Sequence, residues 1–262
     1  TNGTTYYYRL TARDASLNES GGSAEVSSNP LQDVTGPAAA ITYPAASFLN
    51  SLGTISGTSS DGQSGVTLVR LRIRRISDAN YWNGTAWAAA VSTLTETGPA
   101  TWTYAGLTNA NLTNGTSYQI NAWGEDAVAN VGSEAQQTFT YDITVPASSV
   151  ILPVEGERRN NLPTISGTSS DPAPGTVSSV QVSIQKRNDA YYWNGASFVG
   201  GAETWNIATA TGSWTYAGVS WVDGSSYTIK SRAQDSAGNV EVPASSVTFT
   251  FDTTAPAAPS GL

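Results

Sequence analysis

Cysteine, methionine and histidine are all missing from this chain of 262 residues. Because it has no cysteine, it forms no disulfide, and its stability must come from packed cores and from any ions that it binds. Because it also lacks histidine, neither the usual zinc sites nor the common nucleophile–base pairs can be assembled. We therefore predict that the chain is not an enzyme, although serine–lysine and paired-carboxylate chemistry are not excluded by composition.

Charged side chains are scarce as well. They make up 12% of the residues, the net charge is −8, and the only lysines are Lys186 and Lys230. Nucleic-acid binding needs a basic surface, which this composition does not supply. The apolar stretches are short and interrupted, so no segment resembles a signal peptide or a membrane-spanning helix. The composition suits a weakly charged extracellular or cell-surface protein, and its acidic balance is compatible with divalent cations.

Internal repetition is the strongest signal in the sequence. Several motifs recur about 110 residues apart, which is the size of one small β-sandwich. The recurring pairs are residues 54–61 and 164–171 (TISGTSSD), 81–84 and 192–195 (YWNG), and 102–106 and 214–218 (WTYAG). An Asp-x-Thr-x-Pro segment closes each copy, at residues 33–37, 142–146 and 252–256.

These repeats predict four segments. Residues 37–145 and 146–256 each form a complete immunoglobulin-like domain, and residues 257–262 are a linker or the start of another repeat. Residues 1–36 supply only the last two strands, F and G, of a further domain. A lone hairpin is marginal in water. Its missing strands are expected to precede the chain or to have been cut off, with strand addition by another chain as the less favoured alternative.

Alternation of apolar and polar residues within a unit predicts β-strands rather than helices. Val69, Leu71 and Ile73, for example, alternate with arginines. In the first domain the predicted strands are residues 39–43, 52–59, 66–76, 101–105, 116–124 and 134–141. In the second they are residues 148–152, 162–169, 178–187, 213–217, 225–234 and 245–251. Asn-Gly pairs at 83–84 and 194–195 predict hairpins with type I′ turns.

Residues 227–239 and 249–256 resemble the last two strands of bacterial immunoglobulin-like repeats, and residues 6–14 are similar to strand F of a bacterial fibronectin type III domain. The resemblance covers nearly the whole chain. It implies an all-β fold of tandem immunoglobulin-like Greek-key β-sandwiches in an extended rod, within a large secreted or surface protein. It also implies that Tyr6, Tyr118 and Tyr227 form tyrosine corners, a structural hydrogen bond of such sandwiches.

Carboxylates are expected to meet at one pole of each domain, where the B–C loop, the F–G loop and the incoming linker converge. The candidate Ca²⁺ ligands are Asp33, Asp61, Asp126 and Asn130 in the first domain, and Asp142, Asp171, Asp235 and Asn239 in the second. Three carboxylates, an amide and loop carbonyls are ligands that Ca²⁺ accepts. The competing interpretation is turn chemistry, in which each Asp and Asn bonds its own loop backbone.

Two other groups are candidate contact surfaces. Aromatic residues flank the Asn-Gly turns (Trp82, Trp87, Tyr192 and Trp193), where they could stack on sugars. Cross-strand packing is the favoured alternative for them. The four arginines of the third strand (Arg70, Arg72, Arg74 and Arg75) have no counterpart in the second domain. They form either a solvated strand face or a docking surface for an acidic partner.

We therefore predict a structural repeat segment of an extracellular bacterial filament, stalk or adhesin, which acts as a rigid spacer and assembly module. Its partners are neighbouring repeats or copies of itself, and surface glycans are a further candidate. The alternative is a carbohydrate- or surface-binding accessory module of a secreted multidomain enzyme. Ca²⁺ is the one cofactor that this sequence suggests.

Overall fold

A computed structural model describes residues 4–29, 32–96, 100–242 and 246–258. The first segment contains β1 (Tyr6–Tyr8) and β2 (Val26–Ser28), which pair antiparallel as a hairpin. Both strands are largely exposed. Within the described residues, no helix is long and apolar enough to cross a membrane.

The first complete domain has ten strands and one 3-10 turn at Asn109–Asn111. The strands are β3 (Ala38–Tyr43), β4 (Phe48–Leu49), β5 (Ile55–Ser60), β6 (Val66–Arg75), β7 (Tyr81–Trp82), β8 (Trp87–Ala88), β9 (Leu94–Glu96), β10 (Thr101–Tyr104), β11 (Thr116–Asp126) and β12 (Ala135–Tyr141).

The second domain repeats this order. Its strands are β13 (Ala147–Leu152), β14 (Glu157–Arg159), β15 (Thr164–Ser170), β16 (Val177–Lys186), β17 (Tyr191–Trp193), β18 (Phe198–Val199), β19 (Asn206–Ile207), β20 (Ser213–Ala217), β21 (Ser225–Asp235) and β22 (Val247–Phe251).

Each domain is a sandwich of two sheets. In the first domain one sheet has the order β10-β5-β3, and the other has the order β4-β12-β11-β6-β7-β8 with β9 also paired to β6. The second domain has the same arrangement. The chain passes repeatedly between the two sheets, which is the Greek-key connectivity of immunoglobulin-like folds. The predicted all-β fold of tandem immunoglobulin-like sandwiches is therefore confirmed.

Alternating side chains from both sheets fill the two cores. In β6 the apolar residues Val69, Leu71 and Ile73 are fully buried, whereas the arginines between them point to the other face. Strand β16 repeats this with Val180, Val182 and Ile184. Period two thus follows from burial of one strand face only.

The structure also differs from the predicted elements. Short strands β4 and β14 pair parallel with the last strand of their domains. Two or three residues carry too little alternation to be recognised, and parallel pairing depends on tertiary contacts. The turn at Asn83 is not type I′, because its positive φ is at Gly84 (φ 99°) and not at Asn83. The Asn83 side chain instead accepts hydrogen bonds from the amides of Thr85 and Ala86.

Candidate functional site

Two clusters of carboxylates lie at matched poles of the two domains. In the first, one oxygen each from Asp33, Asp61 and Asp126 lie within 4.8 Å of one another. The second brings together Asp142, Asp171 and Asp235 in the same way. Each cluster has one residue from the Asp-x-Thr-x-Pro segment before the domain (the joint, residues 33–37 or 142–146). The second comes from the loop between the second and third main strands, and the third from the end of the long strand β11 or β21. The predicted convergence of these six carboxylates is what the structure shows.

The two asparagines of the predicted sites act as clamps on the joints. Asn130 Nδ2 donates to Asp126 Oδ2 at 2.7 Å and to the carbonyl oxygens of Asp33 and Thr35 at 3.2 and 3.4 Å. Asn239 makes the same three contacts, to Asp235 Oδ2 at 2.7 Å and to the carbonyls of Asp142 and Thr144 at 2.9 and 3.2 Å. Each asparagine therefore ties the turn between the last two strands to the preceding joint.

The turn itself is a local hydrogen-bonded structure. Asp126 Oδ1 accepts from the amides of Val128 and Asn130 at 2.9 and 2.8 Å. The first segment has the same turn, in which Asp14 accepts from the amides of Ser16 and Asn18 and from the Asn18 side chain. The predicted turn chemistry is thus present, together with the clustering of carboxylates.

In the first cluster, neighbouring hydroxyl and amide groups donate hydrogen bonds to the carboxylates. Ser64 donates its hydroxyl to Asp33 Oδ2 at 2.7 Å, and Asp61 Oδ1 accepts from the amides of Gln63, Ser64 and Gly65. The hydrogen bonds to Asp33, led by that from Ser64, lower its pKa. Burial raises the pKa of Asp126, but hydrogen bonds from Asn130 and others outweigh burial and lower the pKa overall.

The second cluster has fewer such donors. Both carboxylate oxygens of Asp171 and the Oδ2 of Asp142 are buried and accept no hydrogen bond from any described residue. Burial, followed by the charges of Asp142 and Asp235, raises the pKa of Asp171. Asp142 retains 1% of its exposure and Asp235 retains 2%. Asp235 accepts from the amide and the side chain of Asn239, and Asp142 Oδ1 accepts from the amide of Thr144. The buried oxygens that remain without a donor are therefore both oxygens of Asp171 and Oδ2 of Asp142.

The joint before the second domain is also held from the side of the first domain. Asn114 accepts from the amide of Ile143 at 2.9 Å and donates to the Thr144 hydroxyl at 2.8 Å. The amide of Asp142 donates to the carbonyl of Leu49 at 2.9 Å. At the next joint Asp223 has the role of Asn114, since it accepts from the amide of Thr253 and the hydroxyl of Thr254.

Two of the three predicted tyrosine corners have their hydrogen bond within the described residues. The hydroxyl of Tyr118 accepts from the amide of Thr113 at 2.8 Å, and that of Tyr227 accepts from the amide of Val222 at 2.7 Å. Both rings are fully buried. Tyr6 occupies the equivalent place in β1, but the residue five positions before it lies outside the described residues.

The predicted aromatic contact surface is wrong for two of its members. Trp82 and Trp193 each retain 2% exposure and belong to the cores. Their indole N–H groups donate to the hydroxyls of Tyr104 and Tyr216 at 2.7 and 2.9 Å, so burial leaves no polar group unpaired. Trp87 is half-buried and donates to the carbonyl of Asn111, and Tyr192 is also half-buried.

The predicted basic stripe is mostly neutralised inside its own domain. Arg70 forms an ion pair with Glu125, Arg72 with Glu134, and Arg75 with Asp78. Glu125 reaches Arg70 because β11 lies beside β6. Glu134 directly precedes β12, and Asp78 follows Arg75 by three residues in the turn after β6. The guanidinium of Arg72 also lies over the ring of Trp123. Among the four, Arg74 alone has no ion pair with a described carboxylate. The three ion pairs of the others therefore leave less positive charge available to an acidic partner.

Sequence reasoning missed Ser64, Gly175 and Asn114. The first two lie at aligned loops that differ between the repeats, DGQSG in one and DPAPG in the other, and this difference was the available signal. Asn114-Gly115 before β11 corresponds to Asp223-Gly224 before β21, and this repetition was the available signal for Asn114.

No protein-family model and no curated protein sequence matches the chain. Similar solved structures include the fibronectin(III)-like modules of Clostridium thermocellum CbhA, with 17% identity, 82% of this chain and 94% of that chain covered, and a TM-score of 0.42. The FN1–FN3 domains of chicken CNTN1 are 13% identical, with 94% and 76% covered and a TM-score of 0.46.

Three N-terminal domains of the Highly Immunogenic Outer Capsid protein of bacteriophage RB49 are 13% identical, with 95% and 79% covered and a TM-score of 0.38. All three are segments of more than one domain. The fold of this chain is shown by its own sheet order, which is a tandem repeat of immunoglobulin-like or fibronectin III-like β-sandwiches.

Proposed function

We propose that this chain is a structural repeat segment of an extracellular bacterial filament, stalk or adhesin, in which the domains act as rigid spacers and assembly modules. Its partners are neighbouring repeats or copies of itself. The segment has no enzymatic role in this proposal, in keeping with the absence of histidine and cysteine.

The observation that supports this function is the hydrogen bonding of the joint at residues 142–146. Asn114 of the first domain and Asn239 of the second both bond this short segment, within two residues of each other. Domains in one chain move relative to each other unless their connection is constrained. A short joint whose amides and carbonyls are held from both sides has little freedom to bend, which is the property that a spacer requires.

Distance measurements between spin labels test this proposal. The chain has no native cysteine, so Thr103→Cys and Ser213→Cys, at exposed strand positions in the two domains, label it specifically. We expect a narrow distance distribution, which broadens when Asn114→Ala and Asn239→Ala are introduced together.

Asn130→Ala is the matched control, because it removes the equivalent clamp from the earlier joint at residues 33–37. It should leave the 103–213 distribution unchanged. A broad distribution in the parent chain, or no broadening in the double variant, would contradict a rigid joint.

The second candidate function is a carbohydrate- or surface-binding accessory module. Flat aromatic rings open to solvent are the usual platform for sugars, and all eight tryptophans of the chain are buried or half-buried. The exposed aromatic side chains are tyrosines, among them Tyr191 in the second domain. Binding of polysaccharides to the chain and its loss in Tyr191→Ala would favour this alternative.

A further inference from the structure

The two carboxylate clusters have the same backbone arrangement, but they differ in the hydrogen bonds that their carboxylate oxygens accept. In the first, Ser64 and the amides of its loop donate to Asp33 and Asp61. In the second, three buried oxygens, two of Asp171 and one of Asp142, receive no hydrogen bond from the described residues. Buried carboxylate oxygens are normally paired, because an unpaired one loses its hydration without replacement.

The loop sequences explain the difference. The loop after Asp61 reads Gly-Gln-Ser-Gly, and three of its amides donate to the Asp61 carboxylate. The loop after Asp171 reads Pro-Ala-Pro-Gly, and Pro174, at the position of Ser64, has neither an N–H nor a hydroxyl to donate. The amide of Gly175 is used by the carbonyl of Pro172 at 3.0 Å. Among the described residues, no hydroxyl donates to Asp171 or to Asp142 Oδ2.

Gly175 leaves room beside the unpaired oxygens. A methyl group at this position would collide with Asp171 Oδ2 and would lie 2.7 Å from Asp142 Oδ2. The glycine does not have a positive φ, so backbone conformation does not explain its presence. A small residue is needed here because the space next to the carboxylates must stay clear.

A cation is the ligand that this arrangement fits. Three carboxylates within 4.8 Å repel one another, and the chain has neither histidine nor cysteine to attract zinc or a softer metal. Ca²⁺ accepts six to eight oxygen ligands in irregular geometry, whereas Mg²⁺ requires a nearly ideal octahedron and retains several waters. Ligands from three separate chain segments suit the less demanding ion.

We propose that Asp142, Asp171 and Asp235 form a Ca²⁺ site at the joint before the second domain, and that the equivalent cluster of the first domain is hydrogen-bonded and does not require the ion. Asp142 belongs to the joint, while Asp171 and Asp235 belong to the second domain. The ion would therefore fasten the joint to the domain that follows. This site does not depend on the spacer function, because binding is measured separately from domain motion.

Calorimetric titration of CaCl₂ into the chelator-treated full chain is the test. We expect one equivalent of Ca²⁺ to bind, with MgCl₂ binding more weakly. The melting temperature of the second domain should rise by about 4 °C or more at saturating CaCl₂ and return on addition of EGTA. No saturable binding, or two equivalent sites, would overturn the proposal.

Asp171→Asn distinguishes a metal ligand from a structural residue. It keeps the shape of the side chain and removes one of three repelling charges. We expect it to weaken Ca²⁺ binding by roughly 10-fold or more, and to raise the melting temperature of the metal-free protein. If it lowers that temperature and leaves Ca²⁺ binding intact, Asp171 is not a ligand.

Asp61→Asn is the matched control in the first domain, and it should leave the Ca²⁺ titration unchanged. If Asp61→Asn rather than Asp171→Asn abolishes binding, the ion belongs to the first cluster and the proposal is wrong. Gly175→Ala provides a second variant, which retains every carboxylate but fills the space beside them. It should also weaken binding.

Discussion

The indole of Trp102 lies directly against the α-carbon of Gly57 on the neighbouring strand. A methyl group at Gly57 would overlap that ring and the carbonyl oxygen of Ala40. The second domain repeats this contact between Trp214 and Gly167, with the carbonyl of Ser149 on the other side. The repeated Thr-Ile-Ser-Gly motif therefore contains glycine because the core tryptophan occupies the space of a side chain.

Substituting this glycine should unfold one domain selectively. We expect Gly57→Ala to destabilise the first domain by about 3 kcal/mol, at the upper end of the cost of overpacking, because both colliding partners are held in place. Gly167→Ala should act equally on the second domain. Urea denaturation followed by tryptophan fluorescence measures both transitions.

Gly62→Ala is the control for this pair of variants. A methyl group at Gly62 would meet no atom within 4 Å. Its stability should stay within about 0.5 kcal/mol of the parent chain, as is usual for surface substitutions. A large effect of Gly62→Ala, or none of Gly57→Ala, would refute the contact as the reason for the glycine.

The tyrosine corners should contribute to stability through their hydroxyl groups. Tyr118→Phe and Tyr227→Phe each leave a backbone amide without its acceptor, at Thr113 and Val222. We expect each variant to lose about 1–3 kcal/mol of unfolding free energy. Tyr81→Phe is the control, because the Tyr81 hydroxyl bonds no described residue, and it should cost much less.

Acid should weaken the first domain partly through Glu125. The hydrogen bond from Arg70, opposed by burial and assisted by their charges, lowers the pKa of Glu125 in the folded state. A lowered folded pKa means that its stabilising contribution is present above the unfolded pKa and is lost as pH falls through the folded pKa.

Glu125→Gln should therefore lose less stability than the parent chain on acidification from about pH 5 to pH 3. The effect should stay below about 1 kcal/mol, because the pair is partly exposed. Urea midpoints at each pH measure it. Arg70→Gln, which removes the other partner of the same ion pair, is the comparison and should reduce the pH dependence in the same way. Equal slopes for Glu125→Gln and the parent would refute the role of the pair.

Ser64 should be needed by the first carboxylate cluster. Its hydroxyl donates to Asp33 Oδ2 at 2.7 Å, and Asp33 retains 8% exposure. Ser64→Ala should destabilise the first domain, because Asp33 Oδ2 then keeps only the amide of residue 64 as a donor. Calorimetric melting of the first domain measures this loss, and Ser133→Ala at an exposed position is the control. An unchanged melting temperature for Ser64→Ala would show that the amides alone satisfy the cluster.

The internal repeats made the fold predictable from the sequence. Strand alternation placed Val69, Leu71 and Ile73 in a core, and the predicted strand at residues 213–217 has the bounds of β20. An alternation of period two shows which face of a strand is buried. The same alternation in the second repeat supports the assignment in the first. The short parallel strands β4 and β14 escaped prediction because their pairing partner lies almost a whole domain away in sequence.

Side-chain environments were less accessible from the sequence. The arginines of β6 were predicted to be an unpaired stripe, because Glu125 on β11 and Glu134 just before β12 come near them only when these strands join the same sheet. For Trp82 and Trp193 the sequence favoured packing but left a contact role open, because only the opposite sheet provides Tyr104 and Tyr216 as partners for their indole groups.

By itself, the sequence determined the β-sandwich fold, the repeat length and the six aspartates that meet at the domain poles. Those features depend on local alternation, turn residues and loop order, all of which are written along the chain. Only the tertiary structure decided that Ser64 donates to Asp33 in one cluster, while Asp142 Oδ2 and both oxygens of Asp171 accept no hydrogen bond from a described residue in the other. The reason is that hydrogen-bond satisfaction depends on distances of a few tenths of an ångström between residues far apart in sequence.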